Sequence, residues 1–154
     1  MRLSLSLLLS LLSLSLGAQQ MRLVKATSTR EVTASKKLLE ENYLANFEKR
    51  SAQAFIIDSV KTIAGNKKLS YDFYLVQMEM SKEDVQWSYL KEFKPEAQGL
   101  FQLRIRKRPA GKNIPAANET ADLSKGFVIY AREEGKPVEL KVERIDALPD
   151  VEQR

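Results

Sequence analysis

The chain has 154 residues and a net charge of +5, and it contains neither histidine nor cysteine. Without these two residue types there are no disulfides, no Ser-His-Asp or Cys-His nucleophilic catalysis, and none of the usual zinc and copper sites. The charge excess is too small for a dedicated nucleic-acid-binding protein, so we expect no nucleic-acid partner.

The N-terminal segment has the layout of a secretory signal peptide. A positively charged start precedes a run of leucine and serine over 3–16, and Gly17 and Ala18 supply small residues for cleavage. The run is shorter than the roughly 20 apolar residues of a spanning helix, which favours a cleaved signal over a retained anchor. We therefore expect a signal peptide over 1–18 and one globular β-rich domain over 19–154. The product would be periplasmic or extracellular, with no transmembrane span after cleavage.

The segment before residue 65 admits two interpretations. Tyr43 and Phe47 fall at helical spacing among good helix formers, which would give a long helix over 34–64. Alternation instead predicts two strands, over 42–49 and 54–63, the second of them rich in β-branched residues. We favour the strands, because a helix of about 30 residues is long for a small globular domain.

The middle of the chain continues the alternation. Residues 69–80 are predicted to form a strand after a turn at 64–67, with a bulge near 75–76 where the apolar phase changes. A capping-box-like serine then favours a short helix over 82–93. The competing interpretation is a strand, because apolar residues also alternate over 85–89.

A basic row marks the next predicted strand, over 100–108. Arg104, Arg106 and Arg108 alternate with apolar residues, so their side chains should project from one face. Guanidinium groups in such a row suit phosphates or carboxylates of an anionic polymer, and we predict an anionic-ligand site there that includes Lys112. The same pattern is also typical of an edge strand that charge protects from aggregation.

The last third of the chain gives the clearest pattern. A loop rich in proline and small polar residues is predicted over 109–125, followed by a β-hairpin with strands over 127–133 and 138–146. Gly135 is suited to the φ > 0 conformation that the connecting turn needs. We expect Leu148 and the following proline to end the hairpin and the last residues to be frayed.

Asn118 begins a glycosylation sequon, Asn-Glu-Thr, within the predicted loop. The sequon would be modified only in a eukaryotic secretory route. A three-residue pattern often arises by chance, so we do not expect glycosylation.

Carboxylate pairs are the remaining catalytic option. Two of them across a cleft can cleave a glycosidic bond, and oxygen ligands can also bind calcium, although no EF-hand spacing is present. Isolated acidic residues are usually solvated surface charges, so we expect no catalytic residue and no metal site. The candidates are Asp72, Glu79, Asp84, Glu133 and Glu134.

Aromatic residues are concentrated in the middle of the chain. Most aromatic side chains belong to the core, although exposed ones can form platforms for sugars or partner proteins. We expect the core role for the set Tyr71, Phe73, Tyr74, Trp87, Tyr89 and Phe93.

Several short motifs resemble small exported bacterial proteins of unassigned function. They are the pair Asn42-Tyr43 followed by Phe47, the run over 55–60, and the closing segment 148–151. The resemblance implies a β-sandwich fold and no particular activity.

The combined prediction is a mainly β protein, an antiparallel immunoglobulin-like β-sandwich with at most one short helix. The alternative is an α+β fold in which a helix over 34–64 packs on an antiparallel sheet. The expected function is a non-enzymatic envelope or secreted binding or accessory domain without a cofactor. Its partner would be an envelope polymer or another exported protein. The alternatives are a carboxylate-based glycan hydrolase and an inhibitor or partner-binding protein that uses the helix.

Overall fold

The computed structural model describes residues 21–50, 54–78, 85–89, 99–109 and 118–153, and for 75–78 and 85–89 it describes the backbone alone. The predicted signal peptide lies outside these residues. The described part of the chain contains eleven strands and no helix. In chain order they are β1 (Met21–Val32), β2 (Leu38–Lys49), β3 (Phe55–Thr62), β4 (Lys68–Leu69), β5 (Asp72–Met78), β6 (Val85–Tyr89), β7 (Gly99–Lys107), β8 (Phe127–Glu133), β9 (Lys136–Val142), β10 (Asp146–Ala147) and β11 (Val151–Glu152).

The larger sheet has the strand order β10-β1-β2-β7-β5-β6, and β11 also pairs with β1. Ala26 of β1, Ala45 of β2, Leu103 of β7 and Phe73 of β5 follow one another in register across four antiparallel strands. All four are buried. Because successive side chains in a strand point to opposite faces, the residues between them form the outer face of the sheet.

The smaller sheet, β4-β3-β8-β9, contributes a second apolar row. Leu69, Val60, Ile129 and Leu140 lie side by side across its four strands and are buried. The two rows belong to one hydrophobic core, so the sheets pack face to face. The predicted mainly β, antiparallel sandwich is confirmed.

The predicted strands over 42–49 and 54–63 are confirmed as β2 and β3, and the alternative helix over 34–64 is wrong. Ala45, Phe47 and Lys49, on the inward face of β2, are buried in steps of two, which no helix would produce. The inhibitor hypothesis thereby loses the helix on which it depended.

The hairpin predicted over 127–133 and 138–146 is confirmed, although its second strand, β9, covers 136–142. Its turn places Glu134 and Gly135 at φ 49° and 76°, the left-handed pair that a two-residue hairpin turn requires.

Two local predictions in the middle of the chain are wrong. Residues 85–89 form β6, paired antiparallel with β5, and the rest of the helix predicted over 82–93 lies outside the described residues. The bulge near 75–76 is absent, because β5 keeps continuous register with both of its neighbours there. The chain changes direction earlier, at 70–71, where it leaves the small sheet and enters the large one.

The C-terminal residues are not frayed. Leu148 N donates to Ser28 O at 2.8 Å and Gln153 N donates to Val32 O at 2.9 Å, and β10 and β11 pair parallel with β1. We call residues 146–153 the C-terminal strap. It is stable there because it satisfies backbone groups along an edge of β1 that would otherwise lie open.

Candidate ligand-binding site

The outer face of the large sheet carries polar side chains at positions that alternate with the core. One row of these positions contains Thr27 of β1, Leu44 of β2, Arg104 of β7 and Asp72 of β5, in register across four strands, and all but Leu44 are polar. The neighbouring row runs through Asn46, Gln102 and Tyr74. Residues distant in sequence are thereby brought together on one rigid surface.

A depression with a volume of 380 Å³ opens on this face. Its size falls within the range of small-molecule sites in proteins. Four strands contribute to its lining, which consists of Thr29, Glu31, Asn42, Leu44, Tyr74, Gln102 and Arg104.

Asn42 organises one side of the depression. Its side-chain nitrogen donates to Glu31 Oε1 at 3.1 Å, and its side-chain oxygen accepts from Arg104 Nε at 2.8 Å. Asn42 is only 4% exposed, although it points away from the core, and its two side-chain partners, Glu31 and Arg104, lie against it. The amide therefore fixes a carboxylate and a guanidinium next to each other.

Further hydrogen bonds hold the same surface. Gln102 is buried and donates from Nε2 to Asn46 Oδ1 at 3.0 Å. Glu40 is buried as well, and accepts hydrogen bonds from Arg104, at 3.3 Å, and from Arg108. A buried carboxylate is tolerated when paired charges and hydrogen bonds compensate its lost hydration, as they do here.

The predicted row of three arginines does project from one face, but each guanidinium contacts a carboxylate. Arg106 Nη2 lies 3.0 Å from Asp72 Oδ2, and the other two arginines share Glu40. Lys112, the fourth residue of the predicted anionic site, lies outside the described residues. The edge-strand interpretation of this row is wrong, because β7 lies inside the sheet between β2 and β5.

Among the described candidate carboxylates for hydrolysis, Asp72 lies on a different sheet from the adjacent residues Glu133 and Glu134. Asp72 lies on the outer face of the large sheet, whereas Glu133 occupies an inward position on β8, in register with Phe55. Burial, and next the adjacent Glu134, raise the pKa of Glu133, while Lys49 opposes the shift. Glu79 and Asp84 lie outside the described residues.

Asn118 has a structural role in the folded chain. It is 5% exposed, its side-chain oxygen accepts from Ser70 N, and its side-chain nitrogen donates to Ser70 O and to Arg106 O, all at 2.9 Å. A glycan would replace one of the two hydrogens on this buried nitrogen, so at least one of the two donated hydrogen bonds would be lost and the sugar would have no room. The sequon is thus incompatible with glycosylation of the folded domain.

The aromatic residues divide between core and surface. Phe73 is buried and stacks on Phe101 with ring centroids 5.5 Å apart, as predicted for the core. Tyr74 instead lines the depression on the outer face. Trp87 and Tyr89 belong to β6, and Phe93 lies outside the described residues.

Most of the residues that line the depression were not predicted from the sequence. Thr29 and Glu31 belong to β1, which was not predicted, and Asn42 and Leu44 occupy outward positions that gave no chemical signal. Arg104 was predicted to bind a ligand, but as part of an anionic-ligand site.

Comparison with known proteins gives no relative: no family model, no curated protein and no solved structure matches this chain. Among the described residues, no group of three or more acidic side chains is placed to hold a metal ion. The same part of the chain contains no helix long and apolar enough to cross a membrane.

Proposed function

We propose that the protein is an exported, non-enzymatic binding domain whose ligand-binding surface is the outer face of the large sheet. The observation that carries this proposal is the pair of hydrogen bonds of the Asn42 amide, which hold Glu31 and Arg104 beside each other at a depression of 380 Å³.

The network supports binding because it sets the polar groups in place before a ligand arrives. Ordering flexible side chains costs free energy on association, and groups that are already fixed avoid that cost. Asn42 and Gln102 are buried on an outward face, where a sheet that only needed solvation would carry exposed, mobile side chains. Strands also hold such groups more precisely than loops do.

The proposals that the protein is exported and non-enzymatic rest on the sequence. The N-terminal segment has the charged start, apolar run and small residues of a signal peptide, which supports an exported product. The missing histidine and cysteine remove the commonest nucleophilic and acid–base groups, which favours binding over catalysis.

The test is chemical-shift mapping on the isotope-labelled protein as recovered from the producing cells. The probes are soluble peptidoglycan fragments, neutral oligosaccharides, anionic polysaccharides and short peptides. We expect at least one probe to shift the backbone amides of residues that line the depression. Thr29→Trp, which fills the depression, should abolish these shifts.

Lys141→Trp is the matched control, because it introduces the same ring on the exposed outer side of β9. It should leave the shifts unchanged. Amide shifts that map elsewhere for every probe, or that survive Thr29→Trp, would refute this surface as the binding site.

A further inference from the structure

We infer that the ligand of the depression is a neutral carbohydrate, bound through the hydroxyl groups and one ring face of a short stretch of a glycan chain. This inference rests on the proposed function and names the ligand class of that site.

The charges around the depression argue for an uncharged ligand. The lining contains one carboxylate, from Glu31, and one guanidinium, from Arg104. The guanidinium already donates to Asn42 and to the buried carboxylate of Glu40, which offsets its charge, so an anionic ligand would gain little attraction from its remaining N–H groups. A cationic ligand would be attracted by Glu31 but repelled by Arg104 beside it. The site is therefore nearly neutral in sum and favours neither sign.

The hydrogen-bonding groups match those of a sugar. Each sugar hydroxyl both donates and accepts, so a sugar site needs fixed donors and fixed acceptors side by side. Glu31 supplies acceptor oxygens, each with lone-pair capacity beyond the single bonds from Asn42 and Gln153. Arg104 supplies donors, and the hydroxyl of Thr29 supplies both.

Two less polar side chains complete the match. Tyr74 and Leu44 line the same depression as these polar groups. A sugar ring combines a rim of hydroxyls with faces of C–H groups, and such faces pack on aromatic and aliphatic side chains. Tyrosine suits this role because it joins an apolar ring to a polar hydroxyl. A small inorganic anion would gain nothing from the Leu44 side chain or from the ring face of Tyr74.

Isothermal titration and chemical-shift mapping with neutral malto-, cello-, manno- and chito-oligosaccharides test the inference. We expect binding by at least one series, with shifts at the depression and little dependence on salt. Tyr74→Ala and Glu31→Gln should each weaken it by about tenfold or more. Tyr74→Phe should retain most of the affinity, and thermal unfolding would verify that each variant is folded.

Heparin and polygalacturonate provide the opposing outcome. If these polyanions shift the lining residues, dissociate as the salt concentration rises and lose affinity on Arg104→Gln, the neutral-sugar inference is wrong while the binding function stands. If peptides alone shift the lining residues, the inference is likewise wrong. If no probe shifts them, the proposed function and the inference are both refuted.

Discussion

Gln153 Nε2 donates a hydrogen bond of 3.0 Å to Glu31 Oε2, so the end of the C-terminal strap contacts a wall of the depression. The other oxygen of Glu31 accepts from Asn42. The carboxylate is therefore held from two sides, by a residue of β2 and by a residue 122 positions later in the chain. Docking of the strap and geometry of the site are physically linked.

The first prediction concerns a truncation after Ala147, which removes residues 148–153 of the strap and leaves β10. The edge of β1 would lose its parallel partner at Val32 and the backbone bond from Leu148 to Ser28. Open strand edges pair with other chains, so we expect concentration-dependent self-association and a lower melting temperature. Light scattering coupled to size-exclusion chromatography and thermal unfolding measure the two effects.

Lys36→Ala is the control for the truncation. It removes only the exposed ion pair with Glu152, at 2.8 Å, and should change stability by less than about 1 kcal/mol. A truncated chain that stays monomeric with an unchanged melting temperature would show that the strap does not protect the edge.

The second prediction concerns Gly126, which precedes β8 at φ 86°. A Cβ built there would fall on the backbone carbonyl of Val142. Gly126→Ala combines this overlap with an unfavourable dihedral, so we expect a loss of at least about 2 kcal/mol in the free energy of unfolding, measured by denaturant titration.

Gly65→Ala is the matched control for Gly126. Gly65 has a similar φ, 77°, but a Cβ there meets no atom within 4 Å. Its cost should be limited to the dihedral, about 1 kcal/mol. Equal losses at the two positions would mean that the close approach of Val142 contributes nothing.

The contrast between the closing hairpin and β1 shows what the sequence can predict. In β9, Val138, Leu140 and Val142 alternate with charged residues, so one local pattern defines both faces of the strand. In β1, a register shift between Leu23 and Lys25 interrupts the alternation. The period of two that would predict a strand is therefore not recognisable in the sequence.

The outer face was only partly predictable for a related reason. Alternation alone placed the arginines of β7 on one side. Their charge partners come from other strands: Glu40 precedes Arg104 by 64 residues, and Asp72 belongs to β5. Which strands become neighbours is a property of the sheet topology, so the pairing that neutralises the row could not be read from local spacing.

The third prediction concerns Glu134, whose φ of 49° is unusual for a residue with a side chain. Asparagine adopts this conformation more readily, and Asn-Gly is the preferred pair in this turn. Glu134→Asn should raise the free energy of unfolding by about 0.5 kcal/mol, visible as a higher melting temperature. Glu139→Asn, at an exposed position of β9, should give no gain. A decrease at position 134 would contradict the turn assignment.

The fourth prediction concerns the pH dependence of stability through Glu133. Its Oε1 is buried and makes no hydrogen bond with the described residues, and burial raises its pKa above the unfolded value of about 4.3. A group with a raised folded pKa contributes stability at low pH, and that contribution is lost as the pH rises through the folded pKa. Stability of Glu133→Gln relative to the parent should therefore increase from about pH 4 to about pH 7.

Urea unfolding at several pH values measures the trend for Glu133, with Glu139→Gln as a control for the loss of one negative charge. The relevant quantity is the difference in free energy between variant and parent at each pH. A difference that stays constant, or that falls as the pH rises, would contradict the burial of Glu133 in the folded state.

The fifth prediction concerns Asn118, whose side chain joins the turn at 118–120 to Ser70 and Arg106 through three hydrogen bonds. Asn118→Ala leaves the bonded backbone groups without partners, and each unsatisfied buried group costs about 1–3 kcal/mol. We expect a loss of at least about 2 kcal/mol in the free energy of unfolding. Thr120→Ala removes the sequon but leaves the three hydrogen bonds of Asn118 intact, so it should lower the free energy of unfolding by far less. If the two variants were equally stable, the hydrogen bonds of Asn118 would not be what joins the turn at 118–120 to the large sheet.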